Sequence, residues 1–387
     1  MSQFHSIPSK LPAGKTSIFS VMSKMANDYN AINLSQGFPN FKTDDHLKDL
    51  AYQAMKAGHN QYPPMNGVAG LREQLAAKIE SLYGAQYKVE SEITITTGAT
   101  ESLFCAISAF VHPGDEVIIF KPAYDSYEPA VKINGGKPVL VQLKGKEFKV
   151  DWQEVAEKIT SKTRMIIINT PHNPTGTVLE KEDMQQLERL LKDADIILLS
   201  DEVYEHIIFD GIEHQSVLRY PKLSERAIAC FSFGKTFHNT GWKMGYCVAP
   251  ETLMKEIWKI HELTTFCTNH PIQHAFAAYL KNPDNYLSLG NFYQQKRDKF
   301  LGLVEDTNFK AIPSGGTYYQ LLDFSEVTDE RDVAFAERLT RDYKLASIPV
   351  SVFNIDEKDN KQLRFCFAKT DETLEKAAEF LHRVSRG

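Results

Sequence analysis

The chain has 387 residues, 42% hydrophobic and 24% charged, the balance of a folded globular protein rather than a disordered or fibrous one. Its formal net charge of -6 argues against a nucleic-acid partner, which normally needs a basic surface, and no apolar stretch approaches the roughly 18 residues of a membrane helix. With about 150 residues per domain as a guide, two or three domains around at least one large core are expected, in the cytoplasm and with no membrane partner.

Residues 1–10 contain no apolar core of the kind a secretion signal carries. From 93 to 250 the sequence alternates. Short runs rich in Ile and Val recur at 93–97, 116–120, 138–143, 165–169, 196–200, 227–233 and 244–248, as strands buried on both faces do. Amphipathic patterns lie between several of them, as at 100–111 and at 183–194, where Met184, Leu187, Leu190 and Leu191 share a face. Strand–helix–strand alternation predicts an α/β fold: a mostly parallel seven-stranded sheet with helices on both sides. Beyond 250 the pattern changes to helices at 251–262 and 271–304, a strand at 316–322, a helix at 332–343, a strand at 363–367 and a final helix at 372–384. This second part reads as a smaller α+β domain. The expected division is a large domain over 45–290 and a small one made of 1–44 and 291–387.

An open parallel sheet binds ligands beyond the carboxyl ends of its strands. After the run at 93–97 come Gly98, Ala99 and Thr100, opening a helix; after 165–169 come Pro171, His172, Asn173 and Pro174. After 196–200 come Asp201, Val203 and Tyr204, and after 227–233 come Lys235, Gly241, Lys243 and Gly245. The fold would bring a helix amino terminus, an amide, a carboxylate with a phenol, and an amine to one rim. A pyridoxal cofactor needs such a set: an amine for its aldehyde, a carboxylate to keep the ring nitrogen protonated, and free backbone N–H groups for its phosphate.

The same residues carry a family resemblance along nearly the whole chain. Asn-Leu-Ser-Gln-Gly-Phe-Pro stands at 33–39, Asn-Gln-Tyr at 60–62, Gly-Ala-Thr-Glu at 98–101 and Pro-His-Asn-Pro-Thr-Gly at 171–176. Ser-Asp-Glu-Val-Tyr follows at 200–204, Ser-Phe-Gly-Lys at 232–235, Gly-Trp-Lys-Met-Gly at 241–245 and Arg-Phe-Cys-Phe-Ala at 364–368. In this order they resemble the class I/II pyridoxal-phosphate aminotransferases of fold type I, and within them the methionine and kynurenine/glutamine transaminase branch.

The resemblance implies that Lys235 is the Schiff-base lysine and the general base, and that Asp201 pairs with the pyridinium nitrogen. It gives Asn173 and Tyr204 to the phenolic oxygen of pyridoxal 5'-phosphate, and Ala99, Thr100, Ser232 and Lys243 to its phosphate. Tyr124 would stack on one ring face and Val203 pack on the other. Tyr62 would reach the phosphate of a neighbouring subunit, which implies a homodimer with shared active sites. Arg364 would bind the substrate α-carboxylate, helped by Gly37 and Asn173. Much of the wider family has arginine where Lys243 stands; lysine keeps the charge but loses the fork.

Taken singly, Lys235 reads as a loop lysine, Asp201 as a helix cap, Asn173 as a turn residue and Arg364 as half of a surface ion pair; only their company argues otherwise. His112 reads as turn chemistry, and His206 and His238 as structural. Cys105, Cys230, Cys247, Cys267 and Cys366 read as reduced thiols, and no His/Cys/Asp spacing resembles a metal site.

The expected activity moves the amino group of methionine-like or other large apolar or aromatic amino acids to a 2-oxo acid. Kynurenine-handling relatives tend to carry tryptophan in the lead-in segment, where this chain has Ile18 and Phe19, which favours flexible side chains. The alternatives are a cysteine-S-conjugate β-lyase or a kynurenine/glutamine transaminase of the same fold. A non-enzymatic cofactor-binding regulator would need a DNA-binding domain, and no basic segment supplies one.

Overall fold

The computed structural model describes residues 8–11 and 16–386, so parts of the secretion-signal segment and of the expected 1–44 unit lie outside the described residues. All seven apolar runs form one sheet. Its order is Ile93–Thr96, Gly245–Val248, Ala227–Ser232, Ile197–Asp201, Thr163–Asn169, Glu116–Lys121 and Lys137–Gln142. Every neighbouring pair is parallel except those made by Gly245–Val248, which runs against both of its neighbours.

Side chains on a strand alternate between faces, and here both faces are covered. Ile118, Phe120, Ile166, Ile168 and Leu198 belong to one core. Their neighbours Val117, Ile119, Met165, Ile167 and Leu199 belong to another, beneath the Ala99–Phe110 helix. That two-sided burial is why these strands read as unbroken apolar runs. The register sets Asn169 beside Asp201, and Asp201 beside Cys230, so the polar strand ends lie on one edge.

A second, antiparallel sheet orders Ile348–Pro349, Gln362–Cys366, Tyr319–Asp323 and Lys310–Ala311. The amino-terminal strand Ile32–Asn33 pairs with Leu345–Ala346, and Cys366 N–H donates to the Leu34 carbonyl at 2.8 Å, so the start of the chain is tied to its last third.

Two expectations change. The helical stretch at 271–304 is three helices, His270–Tyr279, Asp284–Leu287 and Leu289–Val304. Pro283 has no N–H to donate and excludes the helical conformation at the residue before it, so the first helix ends ahead of it. The strand expected at 316–322 starts only at Tyr319, because the Gly315 and Gly316 amides both donate to the Gly176 carbonyl at 2.9 Å. Among the described residues no helix is long and apolar enough to cross a membrane.

Candidate active site

Where the polar strand ends meet, a cavity of about 240 Å³ opens. Gly37, Ala99, Thr100, Tyr124, Asn173, Asp201, Val203, Tyr204, Ser232, Lys235 and Lys243 all line it. Residues from eight separate stretches of sequence thus converge on one space.

Three carboxylates lie within 201–205, and only Asp201 reaches the cavity. Glu202 is turned away, accepting from Ser200 Oγ at 2.8 Å and Val217 N at 3.1 Å. Glu205 is paired with the buried Lys78 at 2.6 Å. Asp201 accepts from Tyr127 Oη at 2.6 Å and from the Val203 amide at 3.3 Å. Burial pushes its carboxyl up to about 6, against those hydrogen bonds and the Lys235 charge. A carboxylate with that basicity is matched to a proton held on a ring nitrogen.

Lys235 sits in the short helix Phe233–Thr236 directly after a strand, and its Nζ faces the cavity from inside the protein. Nζ donates to Tyr318 Oη at 2.8 Å and to the Gly37 carbonyl at 3.3 Å, while Tyr318 Oη itself donates to that carbonyl at 2.6 Å. Enclosure lowers the amine to about 8; the Arg364 and Lys243 cations push the same way and Asp201 opposes them. The neutral amine is the nucleophile, so its fraction rises tenfold per pH unit and then levels off. The rate at which a simple aldehyde modifies Lys235 is therefore expected to plateau above about pH 8. A plateau reached only beyond pH 10, the range of an ordinary lysine, would contradict this assignment.

The Ala99–Phe110 helix points its amino terminus at the cavity, where the first amides have no intrahelical acceptor. Gly98, at φ 73°, is the residue before it, and a Cβ there would lie 3.6 Å from Lys243 Nζ. The cation therefore stands beside the helix start. Gly245 lets the strand end press against that start: a Cβ would fall 2.7 Å from Ala99 N and 2.6 Å from the Phe231 carbonyl. The free amides and the lysine form an anion cradle.

Arg364 is not a surface ion pair. It is fully buried on the Gln362–Cys366 strand, donating from Nη1 to Asn173 Oδ1 at 2.8 Å and from Nη2 to the Ser35 carbonyl at 2.9 Å. The Tyr319 ring lies 3.8 Å from its guanidinium carbon, and its Nε has no hydrogen-bond partner. A buried guanidinium facing only neutral acceptors is an anion site in waiting. Tyr62 does not join the cavity; its side chain is 83% exposed and contacts Phe266 edge-on. His206 is buried beside Glu205, and His238 Nδ1 lies 2.9 Å from Tyr293 Oη, both away from the cavity lining.

Sequence reasoning missed Tyr127, Tyr318 and Tyr319. Tyr127 stands three residues after Tyr124, and that repeat was its one visible signal. Tyr319 opens a strand of the second sheet and Tyr318 stands just before it, and no local pattern announces a phenol aimed at a lysine in another part of the chain.

Comparison with known proteins agrees with this geometry. The family model for aminotransferase class I and II matches residues 29–381. The chain is 47% identical to the methionine aminotransferase of Escherichia coli over 97% of its own length and 98% of the relative's. It is 34% identical to a kynurenine–oxoglutarate transaminase of Dictyostelium discoideum, covering 96% and 94%. An Escherichia coli crystal structure reported with a methionine aminotransferase function superposes with a TM-score of 0.96 over 98% of this chain and all of that one, at 47% identity. Aspartate aminotransferase of Thermus thermophilus superposes at 0.90 over 98% of this chain and 100% of that one, at 30% identity. With sequence, fold and cavity in agreement, the chain belongs to the class I and II aminotransferases, pyridoxal-phosphate-dependent enzymes of fold type I.

Proposed function

We propose that this aminotransferase takes its amino group from methionine-like or other large apolar or aromatic amino acids and passes it to a 2-oxo acid. The observation that carries the reading is the set of cations near the cavity. Lys235 and Lys243 line it and Arg364 is hydrogen-bonded to Asn173, while Phe19, Gln36 and Tyr319 add uncharged side chains to its lining. Each of these cations has a partner in the reaction, and among the described residues lining the cavity none is left over for a second, side-chain carboxylate. An acidic donor would have to bury an unpaired charge against Phe19 and Tyr319.

The residues fit pyridoxal phosphate. The amide-and-lysine cradle suits its phosphate, the Tyr124 ring offers an aromatic face, Asp201 suits the ring nitrogen, and the unpartnered Nε of Arg364 awaits a carboxylate. Bound there, the cofactor supplies the aldehyde that carries the amino group and the ring that takes up the electrons released at the substrate α carbon. The chain's own residues do the rest. Lys235 Nζ would hold the cofactor between turnovers and, once freed, would act as the base that takes the substrate α proton. Tyr318 and the Gly37 carbonyl orient that amine. Asp201, fixed by Tyr127, keeps a proton on the ring nitrogen. Asn173 and Tyr204 would hold the phenolic oxygen, Ser232 would add a donor to the phosphate cradle, and Tyr124 and Val203 would pack against the ring. Arg364 orients the substrate carboxylate so that the α C–H faces Lys235.

The reading includes two domains, 45–290 and 1–44 with 291–387, supported by the pairing of Ile32–Asn33 with Leu345–Ala346; limited proteolysis near 290 tests it. It also includes a cytoplasmic homodimer. The exposed Tyr62 and Phe266 pair supports the dimer, and the five unpaired cysteines support the reducing compartment. A single monomeric species in sedimentation equilibrium would contradict the dimer, and export of the protein in cell fractionation would contradict the compartment.

The experiment is a panel of amino donors with one 2-oxo acid. Methionine, leucine and phenylalanine are expected to exceed aspartate and glutamate in kcat/KM by at least about tenfold, the scale of an unpaired charge in an apolar end. Fastest reaction with an acidic donor would overturn the substrate assignment, and loss of a sulfur group with pyruvate and ammonia as main products would favour β-lyase chemistry instead.

A further inference from the structure

Away from the cavity, three histidines converge. His270 and His274 stand four residues apart on the His270–Tyr279 helix, and His59 comes from the segment after the Asp45–Lys56 helix. One ligand nitrogen of each lies within 4.8 Å of the other two, and all three residues are half-buried, so the group is reachable from solvent.

We propose that His59, His270 and His274 form a binding site for a borderline divalent cation of the zinc class, with the remaining coordination positions filled by water. Three observations carry it. First, i,i+4 spacing puts two imidazoles on one helical face, a natural chelate. Second, the two Nε2 atoms of His270 and His274 face each other at 3.1 Å, while two nitrogens on one tetrahedral zinc sit about 3.4 Å apart, given bonds of about 2.0–2.1 Å. Third, His270 Nδ1 lies 2.8 Å from the Gln61 carbonyl. A carbonyl only accepts, so the hydrogen is on Nδ1 and the lone pair is on Nε2, the arrangement by which metal-bound histidines are oriented.

The His59 ring stacks on His274 with centroids 3.6 Å apart, so it must turn out of the stack to place its nitrogen on the ion. It sits beside Gly58, at φ 92°, in the segment that follows the Asp45–Lys56 helix. Bound there, the cation ties the segment carrying Tyr62 to the start of the helix.

The contrast with a second cluster sharpens the choice. Glu101, Cys105 and His261 also lie close together, yet both ring nitrogens of His261 already face oxygen acceptors, Glu101 Oε1 at 2.6 Å and the Met65 carbonyl at 3.0 Å. Burial also raises the Cys105 thiol to about 12, far from a ready thiolate. That cluster is a closed hydrogen-bonded unit.

The test is calorimetric titration of chelator-treated holoenzyme with Zn²⁺, paired with His270→Ala, His274→Ala and the loop variant His59→Ala, each checked for native circular dichroism. One Zn²⁺ per chain is expected, weakened about 100-fold or more in His270→Ala and at least about tenfold in His59→Ala, with the cofactor absorbance unchanged throughout. His59→Ala keeps the test decisive if a helix variant fails to fold. Absence of binding to the unmodified protein, or equal affinity in the variants, would overturn the proposal, the latter by moving the ion to another site such as the cofactor.

Discussion

Replacing Lys235 with alanine is expected to lower kcat/KM for transamination on the order of 10⁴-fold while leaving the protein folded. The size follows from what the residue does and from what cannot replace it. Among the described residues the only other amine lining the cavity is Lys243, and it stands at the helix start beside Gly98, at the phosphate end. The fold should survive because Tyr318, the main partner of Lys235, keeps its hydrogen bond to the Gly37 carbonyl at 2.6 Å. Lys235→Arg separates charge from chemistry: it keeps a cation that has no neutral form near pH 8 and should lose as much activity as alanine. Single-turnover absorbance with methionine checks both. Retention of more than about a hundredth of the rate in either variant would contradict a role for Lys235 as proton carrier.

Asp201→Asn carries the second large effect, on the order of 10³-fold in kcat with little change in KM. The amide can keep the contact with Tyr127 and the shape of the pocket, but it cannot hold a proton on a ring nitrogen. Folding is expected to be unharmed, since the native carboxyl is itself pushed up to about 6 by burial and its charge strains the interior. The sign of the linkage is set by that shift. A folded value above the ordinary 3.8 means the cofactor-free protein gains stability as pH falls from 6 toward 4, and Asp201→Asn should flatten that part of the melting profile. Steady-state kinetics alongside melting from pH 4 to 7 separates the two effects. Unchanged kcat would remove Asp201 from the reaction.

The sheet was legible because burial on both faces writes itself into sequence as uninterrupted Ile and Val runs, and the polar strand ends followed from the sheet. Helix termination was harder to read: the apolar period continues through 271–304, and Pro283, whose ring removes a donor, marks only the first of its two breaks, the second falling at Ser288. Arg364 was visible as a motif member, but its burial among neutral acceptors was not, since Asn173, Ser35 and Tyr319 come from distant parts of the chain. The tyrosines around Lys235 and Asp201 were hidden for the same reason. So was the histidine group as a whole: His270 and His274 keep an i,i+4 spacing on one helix, but His59 lies some two hundred residues earlier in the chain.

Borohydride reduction of the yellow holoenzyme, followed by peptide mass mapping, tests the central assignment most directly. The account predicts a single pyridoxyl group on the peptide bearing Lys235. A label on Lys243 or any other lysine, or a protein that stays colourless with the cofactor and takes no label, would contradict it.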